Sequence, residues 1–181
     1  MNEGLIPRRY AKALYLVAQE KNTDSRIYDM MKCLVKSFDA QPAFQEILAN
    51  PYVAVADKCQ LLSTAAGAEK ADTVYADYLK LLTENRRLDM ARDIAYAYIK
   101  LYRESNRIYE VKIVSAAPLS ADEQLRLREM ISRHLNGGIM EYTENVDPDL
   151  IGGFTVSVGN ERIDASISNE LKQLRLNLIT K

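Results

Sequence analysis

Few residues of this 181-residue chain are of types that do chemistry, and their spacing argues against most of it. The single histidine, His134, sits beside Arg133 on a predicted helix, and nothing nearby marks a nucleophile; it reads as a surface helix residue. Cys33 and Cys59 both fall in predicted helices and fit no metal or redox spacing, and one histidine cannot complete a zinc site with them. They are expected to be reduced thiols in a cytosolic setting. Asp147 and Asp149 place two carboxylates close together, which suits acid–base work or a cation. Asp before Pro, and Asp within a turn, are also what local backbone amides favour, and turn chemistry is the stronger reading. Asp164 and Ser166 stand where a helix needs an N-cap. Gly152-Gly153 is followed by no Lys-Ser/Thr pair and no dinucleotide pattern, so a phosphate cradle is not expected. Glu84-Asn85-Arg86-Arg87 carries planar guanidinium forks that can grip a partner's carboxylate, but a solvated loop is the stronger reading. No catalytic residue, metal site or cofactor site is expected.

The elements that would hold these residues fall into two halves. Ile6, Tyr10, Ala13, Leu14, Val17 and Ala18 line one face of a first helix opened by Pro7 and ended at Asn22-Thr23-Asp24. Ile27, Met31, Leu34, Val35 and Phe38 mark a second. A short third carries Phe44, Ile47 and Leu48 between Pro42 and Asn50-Pro51. The fourth runs from about Val53 to Ala66, with Gly67 suited to its C-terminal cap. Val74, Tyr75, Tyr78, Leu79, Leu81 and Leu82 make a fifth, and Leu88, Ile94, Ala95, Tyr98, Ile99 and Tyr102 a sixth. Six amphipathic segments on short loops read as an antiparallel helical bundle over residues 1–105.

The period then changes. Val111 and Ile113 alternate with Glu110 and Lys112, a strand signal that opens a second domain over residues 106–181. Ser120 and Glu123 form a capping box before a helix carrying Leu127, Met130, Ile131 and Leu135. Ile139 to Val146 is a strand with Met140, Tyr142 and Val146 on one side. The stretch from Asp147 to Ser166 punctuates the rest. Phe154, Val156 and Val158 alternate with Thr155 and Ser157 as in a half-buried strand. Gly159-Asn160 turns into a short return strand through Ile163. Ile167, Leu171, Leu174 and Leu178 then recur at helical spacing. The fold class expected is mainly α: a six-helix bundle followed by a small α/β domain, its sheet covered by two helices.

Composition excludes several functions. The 24 basic and 25 acidic residues are interspersed and leave a charge of −1, which gives no basic stripe for nucleic acid. No apolar run approaches a membrane span, and no secretory or transit signal is evident, so the chain reads as soluble and intracellular. The apolar surface of the first and fifth helices exceeds what one buried stripe needs. Leu79 and Leu82 are expected to face the core while Tyr78 and Leu81 point elsewhere, which suggests a groove for a partner helix.

These residues resemble a known family. Tyr10-Ala11-Lys12-Ala13-Leu14-Tyr15, Glu84-Asn85-Arg86-Arg87-Leu88 and Ser115-Ala116-Ala117-Pro118-Leu119-Ser120 match its pattern. So do Asp147-Pro148-Asp149-Leu150-Ile151-Gly152-Gly153-Phe154, Gly159 and Ile163-Asp164-Ala165-Ser166. Together they are similar to the delta subunits of bacterial F-type ATP synthases, equivalent to the mitochondrial oligomycin-sensitivity-conferring proteins. Val53-Ala54-Val55-Ala56-Asp57 departs from the more charged helix start of relatives. The resemblance implies a non-catalytic stator subunit without cofactors, present once per complex and peripheral on the cytoplasmic side of the bacterial cell membrane. It implies that residues 1–105 hold the N-terminal helix of an alpha subunit between the first and fifth helices, through Tyr10, Ala13, Leu14, Val17, Tyr78 and Leu81. It also implies that residues 106–181 grip the C-terminal region of the membrane-anchored b subunits, with Ile151, Phe154, Leu171, Leu174 and Leu178 as candidates. Neither nucleic acid nor direct membrane insertion is expected. Two competing readings remain open from the residues alone: a small enzyme or nucleotide binder built on Gly152-Gly153, and a nucleic-acid adaptor.

Overall fold

A computed structural model of the chain describes residues 4–69, 72–135, 137–159, 161–169 and 171. The chain forms two compact units, Met1–Ser105 and Asn106–Lys181. Most described residues are helical, and one small sheet lies in the second unit.

The first unit contains α1 (Leu5–Glu20), α2 (Asp24–Ala40), α3 (Ala43–Ala49), α4 (Val55–Ala66), α5 (Thr73–Glu84) and α6 (Ala91–Asn106), with a 3-10 turn at Leu88–Met90 before α6. Most helices bury the stripe that their apolar spacing defines, but α1 is turned from it, burying Pro7, Ala11, Leu14, Tyr15 and Ala18 and leaving Ala13 and Val17 exposed. Ala11, Leu14 and Ala18 of α1 meet a core that includes Ile27, Met31 and Leu34 of α2, Leu82 of α5 and Ile94 of α6. The tyrosines are core residues that also fasten helices together. Tyr28 of α2 stacks on Tyr102 of α6 with ring centroids 4.3 Å apart. Tyr98 of α6 donates its hydroxyl hydrogen to the Asp24 carbonyl at 3.2 Å, at the start of α2. α4 ends where Gly67 takes φ 66° and its amide turns back to the Ser63 and Thr64 carbonyls, a conformation closed to most side chains. α3 ends on a buried lysine: Lys58 Nζ of α4 donates to the Leu48 carbonyl at 2.7 Å.

The second unit contains β1 (Ile108–Ser115), α7 (Ala121–His134), β2 (Ile139–Val146), a 3-10 turn at Pro148–Leu150, β3 (Gly153–Val158) and β4 (Glu161–Ser166). The strand order is β2-β1-β3-β4. β1 and β2 are parallel, with Val111 opposite Tyr142, and α7 makes the crossover that parallel strands require. β1–β3 and β3–β4 are antiparallel, with Ile113 opposite Val156. α7 starts at the expected capping box: Ser120 Oγ accepts from the Glu123 amide, and Glu123 Oε2 accepts from the Ser120 amide at 2.8 Å. The Ser120 hydroxyl also donates to Glu123 Oε2 at 2.7 Å, and this bond first, then the amide's, holds the Glu123 carboxyl below its usual pKa. Ile131 of α7 joins Val111, Ile113 and Val156 in the core, and the Arg128 guanidinium lies 4.8 Å from the Tyr142 ring centre.

One strand expectation is corrected. Thr155 is as buried as Val156, so β3 is covered on both faces rather than one, as suits a strand inside the sheet. Val146 is exposed, because it ends the edge strand β2. The final helical segment begins at Ile167, and Leu174 and Leu178 lie outside the described residues.

Candidate functional site

The sites weighed first as chemistry are local backbone structure. Asp147 Oδ1 accepts from the Asp149 amide at 3.1 Å, closing the turn around Pro148. Asp164 Oδ1 accepts from the Ser166 amide at 3.1 Å, and Ser166 Oγ accepts from the Asn169 amide at 3.2 Å. Cys33 and Cys59 are free thiols, and Cys59 Sγ lies 3.4 Å from Thr83 Oγ1. No group of three potential metal ligands converges among the described residues. His134 closes α7.

A surface groove of the first unit lies between α1 and α5. It is an open groove of about 360 Å³ lined by Ile6, Arg9, Tyr10, Ala13, Leu81 and Arg87. Its α1 wall follows from helical geometry, since residues 6, 9, 10 and 13 recur at i, i+3, i+4 and i+7 on one face. Its other wall is built by the end of α5. Leu81 is 41% exposed there, an apolar side chain at the edge of the buried stripe. The Arg87 amide then donates to the Leu82 carbonyl at 2.8 Å and the Arg86 amide to the Thr83 carbonyl at 3.0 Å. Arg86 takes φ 56° to allow this. The pattern is a Schellman turn, and it returns Arg87 to the groove.

Three of the six α1/α5 candidates therefore meet in one groove: Tyr10, Ala13 and Leu81. Val17 is exposed further along α1, outside the groove lining. Leu14 and Tyr78 are each only 5% exposed and pack inward, so Tyr78 does not point away from the core as expected. On a helix of about 100° per residue, Tyr78, Leu82, Tyr75 and Leu79 span an arc of about 100°, and Leu81 lies about 60° outside it. Tyr78 thus belongs with the core and Leu81 alone with the edge. Tyr78 Oη is fully buried and has no hydrogen-bond partner among the described residues. Burial pushes its phenol well above the ordinary pKa. Arg9, Arg87 and Ile6 were not among the expected groove residues. Arg9 was readable from its place on the Ile6–Ala13 stripe, whereas Arg87 reaches the groove only through the tertiary turn after α5.

In the second unit, Ile151 is 71% exposed and takes φ 64°, a conformation strained for a β-branched residue. Leu171 is exposed, while Phe154 is half-buried against the unit's own core.

The fold and these surfaces define a mainly helical protein of two compact units, the first of which carries an open groove between α1 and α5. The model of the family described as ATP synthase delta (OSCP) subunit matches residues 6–178, and the chain belongs to that family. It is 37% identical over 179 residues to the ATP synthase subunit delta of Parabacteroides distasonis, covering 99% of this chain and 98% of that one. It is 35% identical over 182 residues to the subunit delta of Bacteroides thetaiotaomicron, covering 100% and 97%. One chain of a cryo-EM structure of the Toxoplasma gondii mitochondrial ATP synthase hexamer shares the fold with a TM-score of 0.72 at 22% identity, over 97% of this chain and 98% of that one. The resemblance read from the sequence holds. The chain is a delta-type subunit, a structural component of the ATP synthase stator and not a catalytic one. It works with other subunits of that complex, and no helix among the described residues is long and apolar enough to cross a membrane.

Proposed function

We propose that this chain links the catalytic head of the ATP synthase to its peripheral stalk. Helices α1–α6 act as a six-helix bundle that holds the N-terminal helix of an alpha subunit in the α1/α5 groove. The second unit, residues 106–181, grips the C-terminal region of the membrane-anchored b subunits through Ile151, Leu171 and the stripe that continues to Leu174 and Leu178. One copy per complex, on the cytoplasmic side of the bacterial membrane, stops the head from turning with the rotor, so that ion-driven torque becomes conformational work at catalytic sites on other subunits. With one end docked, the other binds at an effective concentration of order mM, so two modest contacts make a durable strut.

The observation that carries this reading is the α1/α5 groove itself, which brings Tyr10, Ala13 and Leu81 together on an open surface. Burial of such apolar surface contributes about 25 cal/mol per Å² before ordering costs. Calorimetric titration of the chain with a synthetic peptide spanning the N-terminal helix of the alpha subunit tests it. Saturable one-to-one binding, weakened at least about tenfold by Leu81→Asp in a chain that remains folded, is expected; about 1.4 kcal/mol corresponds to that factor. Binding that ignores Leu81→Asp would move the site to another face.

A further inference from the structure

Resting on the reading of the α1/α5 groove as a helix-docking site, we propose that the groove selects its occupant by charge as well as shape. It takes an amphipathic helix that places a carboxylate between Arg9 and Arg87. Both guanidiniums line the same groove, and no carboxylate among the described residues does. Neither is ion-paired among the described residues; Arg87 makes only a weak 3.8 Å contact from Nη1 to Met90 Sδ. Two like charges facing one groove repel, and a carboxylate between them satisfies both with short, charge-assisted hydrogen bonds.

Arg9 stands on the α1 wall between Ile6 and Ala13, and Arg87 lies just past the end of α5 on the other wall. The rest of the lining is Ile6, Tyr10, Ala13 and Leu81, which accepts an apolar stripe in either orientation. A carboxylate that must sit between the two arginines selects occupants that carry one and excludes helices that bring a lysine or arginine there. The backbone that presents Arg87 is held by the Schellman turn, so the side chain starts from a fixed position rather than from a loose loop.

The test uses the full chain and two probes: the peptide of the alpha N-terminal helix, and the same peptide with every Asp and Glu replaced by Asn and Gln. Affinity for the acidic peptide is expected to fall about tenfold between about 50 mM and about 500 mM salt. Arg9→Gln and Arg87→Gln are each expected to weaken it about three- to tenfold, and the double variant to abolish the salt dependence. The amide peptide should bind the unaltered chain as weakly as the acidic peptide binds the double variant. Binding sensitive to Leu81→Asp but indifferent to salt and to both arginine substitutions would overturn the charge selection and leave the groove standing. Absence of binding, or indifference to Leu81→Asp, would overturn the groove and this inference with it. The salt series and the amide peptide need no variant, so a misfolded variant does not shield the proposal.

Discussion

Tyr75 and Tyr78 make a controlled comparison within a single helix. Both rings are buried in α5, with centroids 5.9 Å apart. Tyr75 donates its hydroxyl hydrogen to the Leu62 carbonyl at 3.2 Å, whereas the Tyr78 hydroxyl is buried without a partner among the described residues. Replacing each by Phe removes one oxygen and leaves the ring packing nearly unchanged. For Tyr75 the change removes a buried hydrogen bond and costs about 1 kcal/mol. For Tyr78 it removes the desolvation penalty of an unpaired hydroxyl, about 1–3 kcal/mol, so Tyr78→Phe is expected to stabilise by about 1 kcal/mol. The two variants should therefore differ by about 2 kcal/mol, with opposite signs relative to the parent. Urea unfolding followed by far-ultraviolet circular dichroism reads the difference as a shift in midpoint at constant slope. Hydrogen exchange of the α5 amides shows whether the effect is local. If Tyr78→Phe destabilises the chain as much as Tyr75→Phe, the hydroxyl has a partner in solution and the accounting is wrong.

Burial pushes the phenols of Tyr75 and Tyr78 above their ordinary pKa near 10, so the folded state keeps protons that the unfolded chain releases. Stability should be unaffected by these groups below about pH 10 and fall as pH rises beyond it, by up to about 1.4 kcal/mol per pH unit for each tyrosine. Urea midpoints at successive alkaline pH values, in the parent and in Tyr75→Phe, check this: the substitution should reduce the slope. Lys58→Met removes the 2.7 Å bond to the Leu48 carbonyl at the end of α3. It should cost about 1–3 kcal/mol and speed exchange of the α3 amides before those of α6. Ile151→Gly relieves φ 64° and should stabilise the second unit by about 1 kcal/mol while weakening capture of a peptide from the C-terminal region of the b subunits. A stabilised variant that captures the peptide undiminished would remove Ile151 from the contact.

What was legible in the sequence follows the range of the interactions involved. The capping box of Ser120 and Glu123, the left-handed cap at Gly67 and the Asp147 turn are bonds between residues a few positions apart, and local spacing specifies them. The same holds for most apolar stripes, since a 3.6-residue period marks a buried face whatever it packs on; α1 is the exception, because it is apolar on two faces and only packing chose Ala11 and Tyr15 over Ala13 and Val17. The change to a period of two near Tyr109 located the start of the sheet for the same reason.

Which edge of a stripe stays open was not legible. Leu14, Tyr78 and Leu81 are all apolar positions on helices that border the groove, and composition cannot rank them. The packing of α1 against α5 seals Leu14 and Tyr78 and leaves Leu81 at the rim. Thr155 reads as a solvent-facing residue until β3 is seen to lie between β1 and β4. Arg9 and Arg87 are far apart along the chain, and only the turn after α5 brings them to one groove. The sequence by itself determined the elements, their caps and the family, because those rest on local backbone physics and on a pattern spread over the whole chain. The tertiary structure alone decided which side chains share a surface, because that depends on contacts between segments whose separation along the chain carries no periodic signal.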